Sequence, residues 1–404
     1  MAVTYYISIT LALFAGVLPA QILGVIWESI CESMNVEIPY IALLRLFASA
    51  GAVLAVIISD RIRGYILARD LIVGSIALEA MSLIGFSMSR EFWNLAVWIT
   101  ALGFCTGLCV TLICYLLRGT WSRNISLLFA CAPLGSAAGV YFVRYILSLG
   151  RSWHTACQGL AIFQIILCMS VFMLRRTLLR DVAAIVLKQK RKMEILRQKR
   201  REELIREKGE PDERYEEIWL IRLLFLYGAA IFCSLVLLSA IHLTYSAQVL
   251  QETAGADLAW SVLCVCGGMA AGRVVIGLLK MNARLSCRIG MILSLCVLIP
   301  CTVAAWLGQT GSVFLLLLRM GTGFGAGMIF PNLIQIDDER FDDEAQTGMA
   351  GLIPAFYFGA DAMITPFVQS MSRSSDMMIS TAAMLALACL MGVCLVFGSA
   401  RLKR

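Results

Sequence analysis

From Phe92 to Leu117 the chain carries no charged residue, and uncharged runs of about 20 residues recur along its length. A run of that length, wound as a helix, crosses a hydrocarbon core of roughly 30 Å. Inside lipid no water meets backbone N–H and C=O groups, so each segment must satisfy its own, and helices do that. An outer-membrane barrel would instead show short alternating segments, and none are visible. Composition agrees: 60 % of the residues are apolar and 15 % charged, whereas soluble domains run near one half and about one quarter. The expected fold class is an all-α membrane protein.

Twelve spans are expected, six of them over 4–30, 38–59, 65–89, 92–117, 123–148 and 154–175. The other six are 217–245, 256–279, 285–307, 311–336, 344–370 and 377–398. The first 20 residues lack a basic n-region, and Val17-Leu18-Pro19-Ala20 only loosely resembles a cleavage site, so 4–30 reads as a spanning helix rather than a signal peptide. Between the two sets, the composition changes. Residues 176–216 are rich in Lys, Arg and Glu and end in the breaker Gly209-Glu210-Pro211. Three units follow: a six-helix bundle over 1–175, a basic linker over 176–216, and a second six-helix bundle over 217–404.

Charge placement orients the spans. The connections after spans two, four, six and eight hold Arg61, Arg63 and Arg69; Arg118 and Arg123; the linker; and Lys280, Arg284 and Arg288. The alternate connections have one basic residue each, Arg90, Arg151 and Arg373. The positive-inside rule therefore expects a multi-pass protein of the cytoplasmic membrane with both termini in the cytoplasm. Asp337 to Glu344 is acidic on the same side, which that rule tolerates. It reads as a solvated loop, or as a docking partner for the linker or a cytoplasmic gate latch. In the linker, Ile185, Val186, Met193, Ile195, Leu196, Leu204 and Ile205 recur among the charges as on an amphipathic helix. A helix lying on anionic lipid, or bracing the bundles, is expected there rather than a nucleic-acid site.

Most of the fifteen cysteines lie within apolar runs, and Cys264 and Cys266 have no second pair at metal spacing. They read as small buried apolar residues. Gly321, Gly323, Gly325 and Gly327 have no Lys-Ser/Thr and follow no strand, so they read as helix packing and not as a nucleotide loop. No catalytic triad, paired carboxylates or metal constellation is apparent. No enzyme, cofactor or metal is expected.

Two six-helix halves joined by a charged linker resemble the major facilitator superfamily. Ser59-Asp60-Arg61-Ile62-Arg63-Gly64 resembles that family's signature loop. The resemblance implies a gate in which Asp60, Arg61, Arg63 and Gly64 hold the cytoplasmic side shut. Gly272-Arg273 resembles the counterpart in the second half, with Lys280 where a second acid is expected. Gly24-Val25-Ile26-Trp27, Cys31 to Val36, Gly321 to Asn332 and Gly351 to Ser370 resemble the bacterial fucose-permease-like branch. The chain departs from that branch at Val110, where related sugar permeases carry an acid, and in the apolar stretch Phe232 to Leu243.

Ionisable groups within the spans each need a reason, because insertion costs about 2.5–3.5 kcal/mol apiece. Arg45 and Glu79 lie at similar depth and are expected to pair. Arg319 is the expected partner of Asp361, either as a fixed ion pair or around a carboxyl group that protonates once per cycle. Glu28 is a second coupling candidate or an acid of the outer vestibule. His242, Tyr245 and Gln248 share a face, and His242 reads as hydrogen-bonded packing or a ligand. Asn332 and Gln335 follow the helix-bending Pro331, where solutes bind in broken-helix transporters.

The expectation is a secondary transporter, monomeric, moving a small organic solute by alternating access with proton coupling. Either uptake of a sugar-like solute or efflux of an amphipathic one fits. Its cavity would be lined by Trp27, Glu28, Tyr115, His242, Asn332, Gln335 and Asp361. The alternative is a scaffold or sensor that keeps the fold without transporting.

Overall fold

A computed structural model gives the fold and describes residues 2–36, 40–63, 65–117, 122–174, 228–229, 232, 256–279, 282–306, 313–338, 354, 357–359, 386 and 388–392. The first half comprises α1 (Ala2–Ala15), α2 (Ile22–Met34), α3 (Ile41–Arg63), α4 (Ala68–Ser87) and α5 (Phe92–Leu116). It continues with α6 (Ser122–Phe129), α7 (Cys131–Ser148) and α8 (Trp153–Leu174). From the second half come α9 (Ala256–Leu279), α10 (Ala283–Trp306), α11 (Val313–Gly327) and α12 (Phe330–Asp338). Among the described residues there is no strand. Among the described residues, six helical segments are long and apolar enough to cross a membrane: Ala68–Ser87, Phe92–Leu116, Ile125–Ser148, Trp153–Leu174, Ala259–Leu279 and Ala283–Pro300. Exposed Ile57, Met81, Trp93, Tyr141, Ile166 and Leu278 form part of the apolar outer surface such helices turn to lipid.

Two expected spans are broken by proline chemistry. The span expected over 4–30 divides at residues 16–21, and the one over 123–148 kinks at Ala130. Pro19 and Pro133 have no N–H to give to the carbonyls four residues before them, Ala15 and Phe129. Both carbonyls are thereby released for side chains. Gln164 Nε2 donates to Ala15 O at 2.8 Å, and Arg273 Nη1 donates to Phe129 O at 2.6 Å. A third break, between α11 and α12, precedes Pro331 as the sequence anticipates.

The halves repeat one packing device. α3 lies on α5, and α9 lies on α11, with glycines at the contacts. A Cβ on Gly103 would meet Ala48 O at 1.9 Å, and one on Gly323 would meet Val265 O at 2.1 Å. Small residues thus let backbones touch, which is where helix association in lipid gains its van der Waals contact. Across the halves, α9 packs on α7, α6 and α2, and α12 on α6. Val140 of α7 shares a buried cluster with Ala259, Val262 and Cys266 of α9.

Candidate functional site

A cavity of about 260 Å³ lies between the halves. The first half contributes α1 and the break after it, α2, α3, α5, α6 and α7. The second contributes α9 and Phe330, with Tyr357 and Phe358. Most of the wall is apolar, from Leu13, Ala52, Leu102, Val262, Met269 and similar side chains. Its polar groups are Gln21, Arg45, Ser49, Thr106, Ser136, Arg273 and Tyr357. Both charged members are arginines, and no carboxylate is among the described wall residues.

The bundle has one end where α3, α5 and α9 finish and α4, α6 and α10 begin, called here the Arg63 end. Arg273 lies about 9 Å from the α9 terminus at that end, and Phe129 about 10 Å from the start of α6. Their hydrogen bond ties the two halves together at this level. Beside it Phe129 and Phe330 have ring centroids 5.6 Å apart, and Phe330 and Tyr357 5.4 Å apart. Aromatic contact plus a charge-assisted bond joins the halves on the Arg63 side of the cavity. Near the other end, Arg144 Cζ sits 4.8 Å from the Trp260 ring centre, a cation–π contact that also joins the halves.

Behind the wall lies a buried polar group. Glu79 of α4 is 1 % exposed. Thr106 Oγ1 donates to its Oε1 at 2.8 Å, and Gln164 Nε2 donates to its Oε2 at 2.6 Å. The same Gln164 nitrogen reaches Ala15 O at the break in the first span. Thr106 is on the cavity wall, so one hydroxyl separates Glu79 from the cavity.

The sequence-derived residues fall differently from expectation. Arg45 and Glu79 do not pair: Glu79 uses neutral donors from α5 and α8, while Arg45 turns to the cavity. Trp27 is fully buried in the apolar cluster with Leu44, Leu83 and Leu95, because its face of α2 points into the half-bundle core. Glu28, the next residue, is exposed and off the cavity wall, which α2 reaches through Leu23 and Gly24. Tyr115 lies outside the cavity under Arg63, whose Cζ is 3.9 Å from the ring centre. Asn332 is fully buried and turns its Nδ2 back on Met328 O rather than to the cavity.

Arg319 is buried and donates to Ser261 Oγ of α9. Arg61 is exposed in the last turn of α3, and Asp60 shares that turn. The Asp60 and Gln335 side chains, and Gly64, His242 and Asp361, lie outside the described residues, and with Asp361 so does the expected Arg319–Asp361 pair. Wall residues not foreseen are Gln21, Ser49, Thr106 and Ser136. Their one advance signal is position, since Gln21 follows the Pro19 break and Thr106 lies between Gly103 and Gly107.

Residues 7–365 match the Major Facilitator Superfamily, and the chain belongs to that family of membrane transporters, not enzymes. The fold is similar to that of the proton:xylose symporter XylE, solved with 6-bromo-6-deoxy-D-glucose bound. The likeness covers 98 % of this chain and 94 % of that one with a TM-score of 0.75, at 13 % sequence identity. No curated protein matches by sequence. The family and fold support secondary transport of a small solute by a multi-pass membrane protein.

Proposed function

We propose that the chain is a proton-coupled transporter of a small organic anion with an apolar body, working by alternating access in the cytoplasmic membrane. The observation carrying this reading is the inter-half cavity, whose described charged wall residues are Arg45 and Arg273. A guanidinium in a dehydrated wall favours a carboxylate, to which it donates two parallel bonds, over a neutral or cationic solute. A sugar such as the one bound to the symporter needs many hydroxyl partners, and this wall is largely apolar. The apolar lining also suits an amphipathic solute.

The same reading takes the twelve-span, six-plus-six layout with bundles over 1–175 and 217–404, and places the chain near the fucose-permease-like branch. The basic residues Arg61, Arg63, Arg69, Arg284 and Arg288 put the Arg63 end in the cytoplasm, with the 176–216 linker against anionic lipid. The joined Arg63 side then corresponds to a conformation shut towards the cytoplasm. Monomeric function is part of the reading.

The test is a binding screen by thermal shift on purified protein, followed by flux in proteoliposomes, using monocarboxylates, sugars, amines and neutral amphiphiles. Saturable stabilisation by carboxylates, lost in Arg45→Gln, is the expected result. Stabilisation by sugars or amines alone would overturn the anion assignment. Binding without flux in wild-type protein would favour the scaffold or sensor alternative.

A further inference from the structure

We infer that Glu79 is the proton-binding site of this protein, and that Gln164 transmits its protonation to the break in the first span. The inference deepens the proposed function, since coupling has meaning only if the chain transports.

Glu79 is buried within α4, and among the described residues no cation pairs with it. The titratable neighbours are thiols. Cys105 and Cys109 face it from α5, and Cys168 of α8 donates to Val73 O one helical stretch away. α1 carries Tyr5, whose hydroxyl donates to Leu116 O, and also Thr4, Tyr6, Ser8 and Thr10 among its apolar residues, with no charged group. Arg45 lines the cavity, as Thr106 does, and makes no ion pair with Glu79 among the described residues. A carboxylate with two neutral donors and no counter-charge is poorly compensated in an apolar bundle, and adding a proton removes the charge.

Protonation changes what the neighbours must do. A neutral carboxyl has an O–H that needs an acceptor. Gln164 Oε1 is buried and has no hydrogen-bond donor among the described residues. A half-turn of the Gln164 amide brings that oxygen to the new O–H. The same turn carries Nε2 away from Ala15 O, which Pro19 cannot satisfy and which otherwise keeps only the Leu18 N–H at 3.1 Å. The first span is thereby unpinned at its break, beside Gln21 and Leu23 of the cavity wall.

The proton path is short. Water in the cavity passes a proton to the Thr106 hydroxyl, which gives its own to Glu79 Oε1; a half-turn of the neutral carboxyl then presents its O–H to Gln164 and its carbonyl oxygen to the Thr106 hydroxyl. Release runs the same way in reverse. No heavy-atom bond forms or breaks, and the only co-reactant is the proton.

The experiment needs no solute. Infrared difference spectra between acid and alkaline buffer are recorded for the full chain in nanodiscs, together with deuterium exchange over residues 12–24. Wild-type protein is expected to give a protonated-carboxyl band that titrates with pH, and lower protection over 12–24 in acid once exchange is divided by its intrinsic rate at each pH. Glu79→Gln should lose the band and show low protection at every pH. Glu79→Asp should keep a shifted band, which covers the case where the amide variant does not fold. Gln164→Leu should keep the band but lose the pH dependence of protection. A wild-type band unchanged in Glu79→Gln, or shifted by neither Glu79 variant, overturns the inference. If carboxylate transport fails while the band behaves as stated, the proposed function falls and the proton site stands.

Discussion

Arg273 Nη1 donates to Phe129 O across the two halves at 2.6 Å, and the acceptor is available because Pro133 has no N–H to offer it. Arg273→Gln removes a charged donor whose bond contributes about 1.5–3 kcal/mol. A loss of that size shifts the balance between closed and open forms by roughly tenfold or more. Cys266 lines the cavity and serves as a native reporter. Its alkylation by a membrane-impermeant thiol reagent, applied from the Arg63 side, should accelerate in Arg273→Gln. Pro133→Ala, which supplies a competing N–H, should move it in the same direction by less. Unchanged alkylation in both would mean the bond does not hold that side shut.

The glycine contacts separate packing from propensity. Gly103→Val puts a branched side chain where even a Cβ would be 1.9 Å from Ala48 O, forcing α3 and α5 apart. A loss of at least about 1–3 kcal/mol is expected, as for overpacked cores. Gly323→Val should cost a similar amount through Val265. Gly74 has nothing within 4 Å of its Cβ position. Gly74→Ala should therefore raise stability by up to about 1 kcal/mol through helix propensity. Thermal unfolding in detergent measures all three, and equal effects at Gly74 and Gly103 would contradict the close approach.

Arg45 and Glu28 exchange the importance the sequence suggested for them. Arg45 faces the cavity, while Glu28 is exposed and off its wall. Arg45→Gln should weaken binding of a stabilising carboxylate by roughly tenfold to a hundredfold, the equivalent of one charge-assisted bond. Arg45→Lys should recover only part of this, because a point charge does not reproduce the planar fork. Glu28→Gln should leave the affinity unchanged. Isothermal titration on the three variants decides, and a large effect at Glu28 alone would invert the assignment.

The bundle was legible because charge spacing in a membrane chain is set by lipid thickness, which acts on each segment separately. Helix rotation was not legible in the same way. Trp27 and Glu28 are adjacent in sequence, yet one points into the half-bundle core and the other outward, and only the packing of α2 decides which. Glu79 stood out as an ionisable group needing a partner. Its partners were hidden because Thr106 and Gln164 are neutral and belong to other spans. A search for the opposite charge led to Arg45 instead. Pro19 and Pro133 were visible as residues, but a released carbonyl has no sequence mark until the side chain that takes it is known.

Pro19 gives the sharpest test of that last relation. Replacing it by alanine restores an N–H four residues after Ala15, and α1 can extend through the break with a backbone donor on Ala15 O. Gln164 would then hold Glu79 without holding the hinge. The Glu79 carboxyl band should still titrate in Pro19→Ala, since its two donors remain. Protection over residues 12–24 should rise and lose its dependence on pH. Helix content by circular dichroism should rise slightly as the break closes. A variant with wild-type protection at both pH extremes would mean that Ala15 O is not what pins the first span.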